Sequence, residues 1–256
     1  MLLTIDIGNS NIVFGGFRGS DLDQFFRVKT RKNLADPEWE CFLHKQFIDN
    51  NIQPTNVLKA VISSVVPDKN NALINTLKTS LHINDPYIVT HNSHFHIKCP
   101  IENKETLGID RMVNVAAAHE KYHTDLIIVD VGTATTFDVI KDNVFIGGVI
   151  VPGPQTLKKS LLQNTAQLTE LNIHLEKPSK IVGHNTKESI QSGLYHGYIG
   201  LIENILAKIT AEQKTDFVVV FTGGAAPLFL QELSHSYLHE PHLTLDGLRL
   251  VYEWNT

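Results

Sequence analysis

MLLTIDIGNSNIVFGGF (residues 1–17) decides how the chain is read. An apolar run ends on Asp6, Gly8 follows one residue later, and Asn9 and Ser10 come before a second apolar run begins. LIIVDVGTATTFDVI (126–140) repeats the arrangement with Asp130, Gly132 and Thr133 to Thr136. Each copy predicts two strands joined by a tight turn, because β-branched and aromatic residues fill the flanks and glycine and small polar residues fill the corner. The copies lie 124 residues apart, from 6 to 130, which is close to half of the 256-residue chain.

The surroundings repeat as well. QFFRV at 24–28 predicts a third strand after the first hairpin, and 144–151 predicts one after the second. In the first half a helix over 37–50, a strand over 57–66, a helix over 68–81 and a short strand at 87–89 follow. In the second half, a helix over 109–122 leads into strands at 125–130, 134–140 and 144–151. Then come a long helix over 185–212, a strand at 216–224, a helix over 226–236 and a last helix over 245–254. Hairpin, third strand and helices in matching order predict a duplicated α/β fold, divided within the 108–124 helix into domains 1–115 and 116–256.

Composition limits the partners. Hydrophobic residues make up 42% and charged residues 19% of the chain, an ordinary globular balance. The net charge of −5 and the absence of a long basic run give no support to nucleic-acid or membrane binding. Cys41 and Cys99 are far apart and lack CxxC spacing, as in a reducing, cytoplasmic setting. The apolar start is broken by Asp6 after five residues, so neither a signal peptide nor a membrane span is expected.

The two turns suit a polyphosphate. Glycine lets backbone amides approach phosphate oxygens, Asn, Ser and Thr add neutral donors, and a carboxylate at a strand end can hold the accompanying divalent metal directly or through water. No GxxxxGK[ST] loop or GxGxxG fingerprint offers another route to the same ligand. GIDR (108–111) adds a third acid at a helix start. Asp110 there can accept a proton or simply complement the helix dipole, and Arg111 can bind an anion.

DIGNSNIV (6–13), GIDR (108–111), DVGTATT (130–136), GGVIVPG (147–153), NTKESIQSG (185–193) and TGG (222–224) occur in this order over nearly the whole chain. Together they resemble the type III pantothenate kinases, within the acetate and sugar kinase, heat-shock chaperone and actin superfamily. The resemblance implies two ribonuclease-H-like domains, actin-like in their ATPase fold, that clasp ATP in an interdomain nucleotide cleft. It implies phosphorylation of pantothenate to 4′-phosphopantothenate, the first step of coenzyme A biosynthesis. Asp110 is then the general base, and Gly108, Ile109, Asp110 and Arg111 form the substrate loop, with Thr186 a further substrate contact or a helix cap. Asp6, Ile7, Gly8, Asn9, Ser10, Asn11, Ile12, Val13 and Thr133 belong to the nucleotide site. Asp6 serves a divalent metal and Asp130 a monovalent cation, potassium or ammonium. A homodimer is implied too. The chain departs from the pattern in having no tyrosine in IKCPIENKETL (97–107) and in carrying Val13 where some members have lysine. Another small-molecule kinase, a polyphosphate-type hydrolase and a nucleotide-binding transcriptional accessory factor remain alternatives on one scaffold.

Three other signals are discounted. His119 to His123 matches HExxH, but His123 falls where the helix must end. His91, His94, His96 and Cys99 lie in a polar connection and read as surface residues. Gly193, Gly197 and Gly200 share a face of the long helix and suggest close helix packing, at a dimer interface among other places.

Overall fold

The computed structural model describes residues 1–31, 33–163, 172–234 and 236–256. They form two units of the same design. The first comprises Met1–Ile97, Ile101–Lys121 and His242–Thr256, and the second Lys98–Pro100 and Tyr122–Pro241.

In the first unit, β1 (Leu2–Ile7), β2 (Asn11–Arg18) and β3 (Asp21–Lys29) make an antiparallel meander, and β4 (Lys59–Ser64) and β5 (Tyr87–Ile88) extend it in parallel. The sheet order is β3-β2-β1-β4-β5. Alternation along β1 sends Leu3, Ile5 and Ile7 into a core with Ile12 and Phe14 of β2. Helices α1 (Asp36–Asp49) and α2 (Asn70–Leu81) close that face with Trp39, Leu43, Phe47, Leu73 and Leu77. Helices α3 (Ile109–Tyr122) and α6 (Leu243–Asn255) complete the unit. Gly247 of α6 lies against the Val113 carbonyl of α3, and Leu245 reaches Gly15 of β2.

The second unit repeats the plan. β6 (Leu126–Val131), β7 (Ala134–Lys141) and β8 (Val144–Pro152) form the meander, and β9 (Val218–Thr222) and β10 (Leu238–His239) add parallel strands in the order β10-β9-β6-β7-β8. Ile127, Val129, Val131, Phe137 and Val139 pack on Tyr195, Tyr198, Ile199, Ile202 and Leu206 of α5 (Thr186–Gln213). Helix α4 (Pro154–Gln163) follows β8 directly. Even the irregularities recur: the register slips between Gly16 and Phe17 in β2 and between Val139 and Ile140 in β7, 123 residues on in each case. A bulge placed within one residue of the matching position in both meanders carries the duplication beyond the strand count.

Two expectations change. The last helix belongs to the first unit, whereas a division into 1–115 and 116–256 assigns it to the second. The helix expected over 226–236 is two short 3₁₀ turns, Ala226–Leu228 and Leu230–Glu232, with His235 outside the described residues. Its apolar spacing is satisfied all the same, since Ala226, Phe229 and Leu230 are buried. A longer helix is stopped because Leu233 is extended and Ser234 gives both its amide and its hydroxyl to Glu203 Oε1, at 2.9 and 2.7 Å. Among the described residues no helix is long and apolar enough to cross a membrane.

Candidate functional site

Asp6 is the penultimate residue of β1. The register sets it opposite Val13 of β2 and Ser63 of β4, and Val13 in turn opposite Arg27 of β3. Residues directly paired across a sheet share a face, so Arg27, Val13, Asp6 and Ser63 form one row on the side away from Leu3, Ile5 and Ile7. Ser63, wholly buried, donates to Asp6 Oδ1 at 2.6 Å. Burial pushes the Asp6 carboxyl up to about 7; the Ser63 hydroxyl opposes this, the Asp110 charge adds to it, and Arg27 opposes it in turn.

Asp110 is the second residue of α3, and its Oδ1 accepts the Arg111 amide at 2.9 Å. Gly108 makes that inward fold possible, since a Cβ there would strike the Asp110 carboxylate. Burial raises the Asp110 carboxyl above its ordinary range, while the Arg111 amide and guanidinium hold it down. Ile109 and Met112 anchor the segment in the core. The first unit therefore brings Asp110 close enough for its charge to bear on the Asp6 carboxyl.

The turn between β1 and β2 is tied at several points. The Gly8 amide donates to the Asn11 carbonyl at 2.9 Å, and the Gly8 carbonyl accepts the Thr30 hydroxyl at 2.7 Å. The Thr30 amide reaches the Ser10 carbonyl at 3.1 Å, and Trp39 Nε1 donates to the Thr30 carbonyl at 2.8 Å. Buried Thr30 is thus the fixture of the turn, and sequence reading passed over it. Asn9 and Ser10 are exposed at the tip, and Asn11 and Val13 are half-buried. Ile7 and Ile12 are fully buried in the core, so they can offer a ligand only their main chain.

In the second unit Asp130 occupies the matching place, opposite Thr136 of β7 and Thr222 of β9. Thr222 is buried like Ser63, so each acid faces a buried hydroxyl residue across its parallel pair. The signal lay in VISS and VVFT, two apolar runs ending on a hydroxyl. The Gly132 amide donates to the Ala134 carbonyl at 3.0 Å, and the Thr133 carbonyl accepts the Gly153 amide at 3.0 Å and the Thr156 hydroxyl at 2.6 Å. Gly223, at φ +90°, backs directly on the Asp130 carboxylate, where a Cβ would collide. Thr135, opposite Val131, shares a hydrogen bond with Tyr198 between their hydroxyls, and the Asp130 charge helps to raise the Tyr198 hydroxyl. Thr186 is the first residue of α5, but the cap is Asn185, whose side chain accepts the Glu188 amide at 3.0 Å. Among the described residues the Thr186 hydroxyl makes no hydrogen bond, so it stands available to a ligand.

The discounted signals have ordinary surroundings. His123 has a φ of 48° beyond the end of α3, so it does not share a helical face with His119. His91 Nε2 meets the Leu107 carbonyl at 2.8 Å, and His96 stacks on Trp254. Among the described residues no group of three or more His, Cys, Asp or Glu side chains is arranged to hold a metal. Gly193, Gly197 and Gly200 are exposed, and a Cβ at any of them would meet open space, so they do not serve helix packing within the second unit.

The sequence matches the family described as type III pantothenate kinase over residues 2–208. A type III pantothenate kinase of Geotalea daltonii is 39% identical over 258 residues, covering 100% of this chain and 99% of its own. Among solved structures, a Sinorhizobium meliloti protein described as a 2-dehydro-3-deoxygalactonokinase aligns with a TM-score of 0.61 at 11% identity, covering 99% of this chain and 96% of its own. A Campylobacter jejuni protein described as a Baf family transcriptional activator aligns with a TM-score of 0.59 at 22% identity, covering 98% and 97%. These likenesses, with two mixed sheets of one strand order, establish a duplicated ribonuclease-H-like fold. With the family matched across most of its length and a relative of this identity along all of it, the chain belongs to the type III pantothenate kinase family.

Proposed function

We propose that the chain transfers the γ-phosphoryl group of MgATP to the terminal hydroxyl of pantothenate, giving 4′-phosphopantothenate and ADP for coenzyme A biosynthesis. The observation that carries this is that Asp110, folded over Gly108 beside its own arginine, lies near enough for its charge to raise the buried Asp6 carboxyl. A hydrolase needs no second acid of this kind for an alcohol.

Asp110 accepts the hydroxyl proton as the substrate oxygen bonds to phosphorus and the bond to the ADP oxygen breaks. Burial lifts its carboxyl above the ordinary range, which makes the ionised form a stronger proton acceptor. Gly108 to Arg111 hold the acceptor, Arg111 taking its carboxylate, and Thr186 adds a contact. Asp6 holds the divalent metal directly or through water. Its chemistry fits: an ionised carboxylate that burial and Asp110 both disfavour is relieved by a cation. That metal supplies charge neutralisation on the phosphates. The backbone of residues 6–13 and Thr133 bind the nucleotide, and Asp130 holds potassium or ammonium. Alignment and charge stabilisation provide the rate enhancement. The protein works as a homodimer. Exposed Gly193, Gly197 and Gly200 on α5, with exposed Ile146 and Ile150 on the edge strand β8, support a surface for a second copy.

A coupled ADP-release assay with and without pantothenate tests the reading. Release that depends on pantothenate supports the kinase. Release without it favours a hydrolase, and none at all a regulator of the kind to which the Campylobacter jejuni structure is ascribed.

A further inference from the structure

We propose that Arg27 is a phosphate-binding residue of this chain, the side chain that meets the negative charge of the nucleoside triphosphate on the first unit. The inference rests on the reading of the chain as an ATP-dependent kinase and adds to it a residue that no motif contains.

Three observations carry it. Arg27 stands in the same cross-strand row as Asp6, with only Val13 between them. Two strand spacings separate their backbones, about 10 Å, and an extended arginine laid over the small apolar Val13 crosses most of that gap. Arg27 is exposed on β3, the edge strand of its sheet, and among the described residues no ion pair or hydrogen bond engages it. Arg18 pairs with Asp23 at 2.7 Å, Lys69 with Asp36 at 2.9 Å, and Arg249 with Glu253 at 2.8 Å; Lys29, two residues on in β3, stands opposite Asn11 rather than in the row of Asp6.

The charge balance explains why such a residue is needed. Asp6 and Asp110 repel a polyanion, and Val13 contributes no charge to the row. Arg111 bears on Asp110, at the acceptor's side. Arg27 is the arginine in the cross-strand row of Asp6. A guanidinium also binds phosphate through two parallel N–H groups, which fixes the orientation of the chain of phosphates as well as its charge.

The test is equilibrium binding of MgATP and of adenosine to the full-length chain by calorimetry, for wild type, Arg27→Ala, Arg27→Lys and Val13→Lys/Arg27→Ala. Arg27→Ala is expected to weaken MgATP binding about 10- to 100-fold while adenosine binding stays within about twofold. Arg27→Lys, and the lysine placed at 13, should each recover part of the loss. The KM for pantothenate should not move. Equal loss of MgATP and adenosine, or no loss of either, overturns the assignment. Failure of the wild type itself to bind MgATP overturns the kinase reading beneath it, so the two failures are told apart.

Discussion

The two units share a hairpin, a bulge and a hydroxyl opposite the acid, yet their acids live differently. Asp6 shares its surroundings with a second carboxylate and an arginine, and burial raises it to about 7. Asp130 is backed instead by Gly223, and its charge helps to raise the Tyr198 hydroxyl. Duplication thus supplied the same strand end twice, and the residues brought up to it from elsewhere set the chemistry. Helix α3 delivers Asp110 to the first copy, and the turn after β9 closes tightly on the second. The general lesson is that a repeated fold gives repeated positions, while function follows the neighbours of each position.

Substitutions at matched positions break or sharpen this contrast. If Asp6 holds the divalent metal as proposed, Asp6→Asn should lower kcat/KM for ATP about 10³-fold, because the metal's charge stabilisation is lost. If Asp130 holds the monovalent cation as proposed, Asp130→Asn should cost less, about 10-fold to 100-fold, and should remove an activation by potassium that the wild type shows; steady-state rates across a potassium titration measure both. If the two variants lose equally and alike, the contrast between the units is wrong.

Stability should move the other way at Asp6. A carboxyl that titrates near 7 when folded and near 3.8 when unfolded binds an extra proton in the folded state between those values. Its contribution is fully present below about pH 4 and is lost as pH rises through 7, with a ceiling of about 4 kcal/mol. Asp6→Asn should therefore melt higher than wild type at pH 8, with the gap closing toward pH 5. Melting curves at the two pH values decide it.

Smaller effects separate the tight backing of Asp130 from the looser setting of Asp6. Gly223→Ala, at φ +90° and against a carboxylate, should destabilise the chain by about 2–3 kcal/mol in urea unfolding. Ser63→Ala, which removes the hydroxyl donor to Asp6, should cost about 1 kcal/mol in the same measurement.

Much of this was legible in the sequence. Apolar runs broken by the Asp-x-Gly turns at Asp6 and Asp130 gave both hairpins, and the apolar residues Met112, Val113, Val115 and Ala116 after Asp110 gave α3. What escaped were features set by long-range pairing. Nothing in QFFRV says that Arg27 shares a row with Asp6, since that depends on register across two hairpin turns. Ser63 and Thr222 look like ordinary strand ends until β4 and β9 pair in parallel with the acid-bearing strands. The apolar pattern after Ala226 is real, but the Glu203 carboxylate that captures Ser234 lies on another element, so a helix was expected where two short turns form. Likewise, no local signal returns α6 to the first unit; Gly247 against Val113 does so.

The most direct test of the account is the turnover of Asp110→Asn at saturating MgATP and pantothenate, with MgATP affinity measured on the same preparation. The account predicts that affinity stays within about twofold while ADP release falls about 10²- to 10⁴-fold. Near-normal release from a folded Asp110→Asn protein would contradict it.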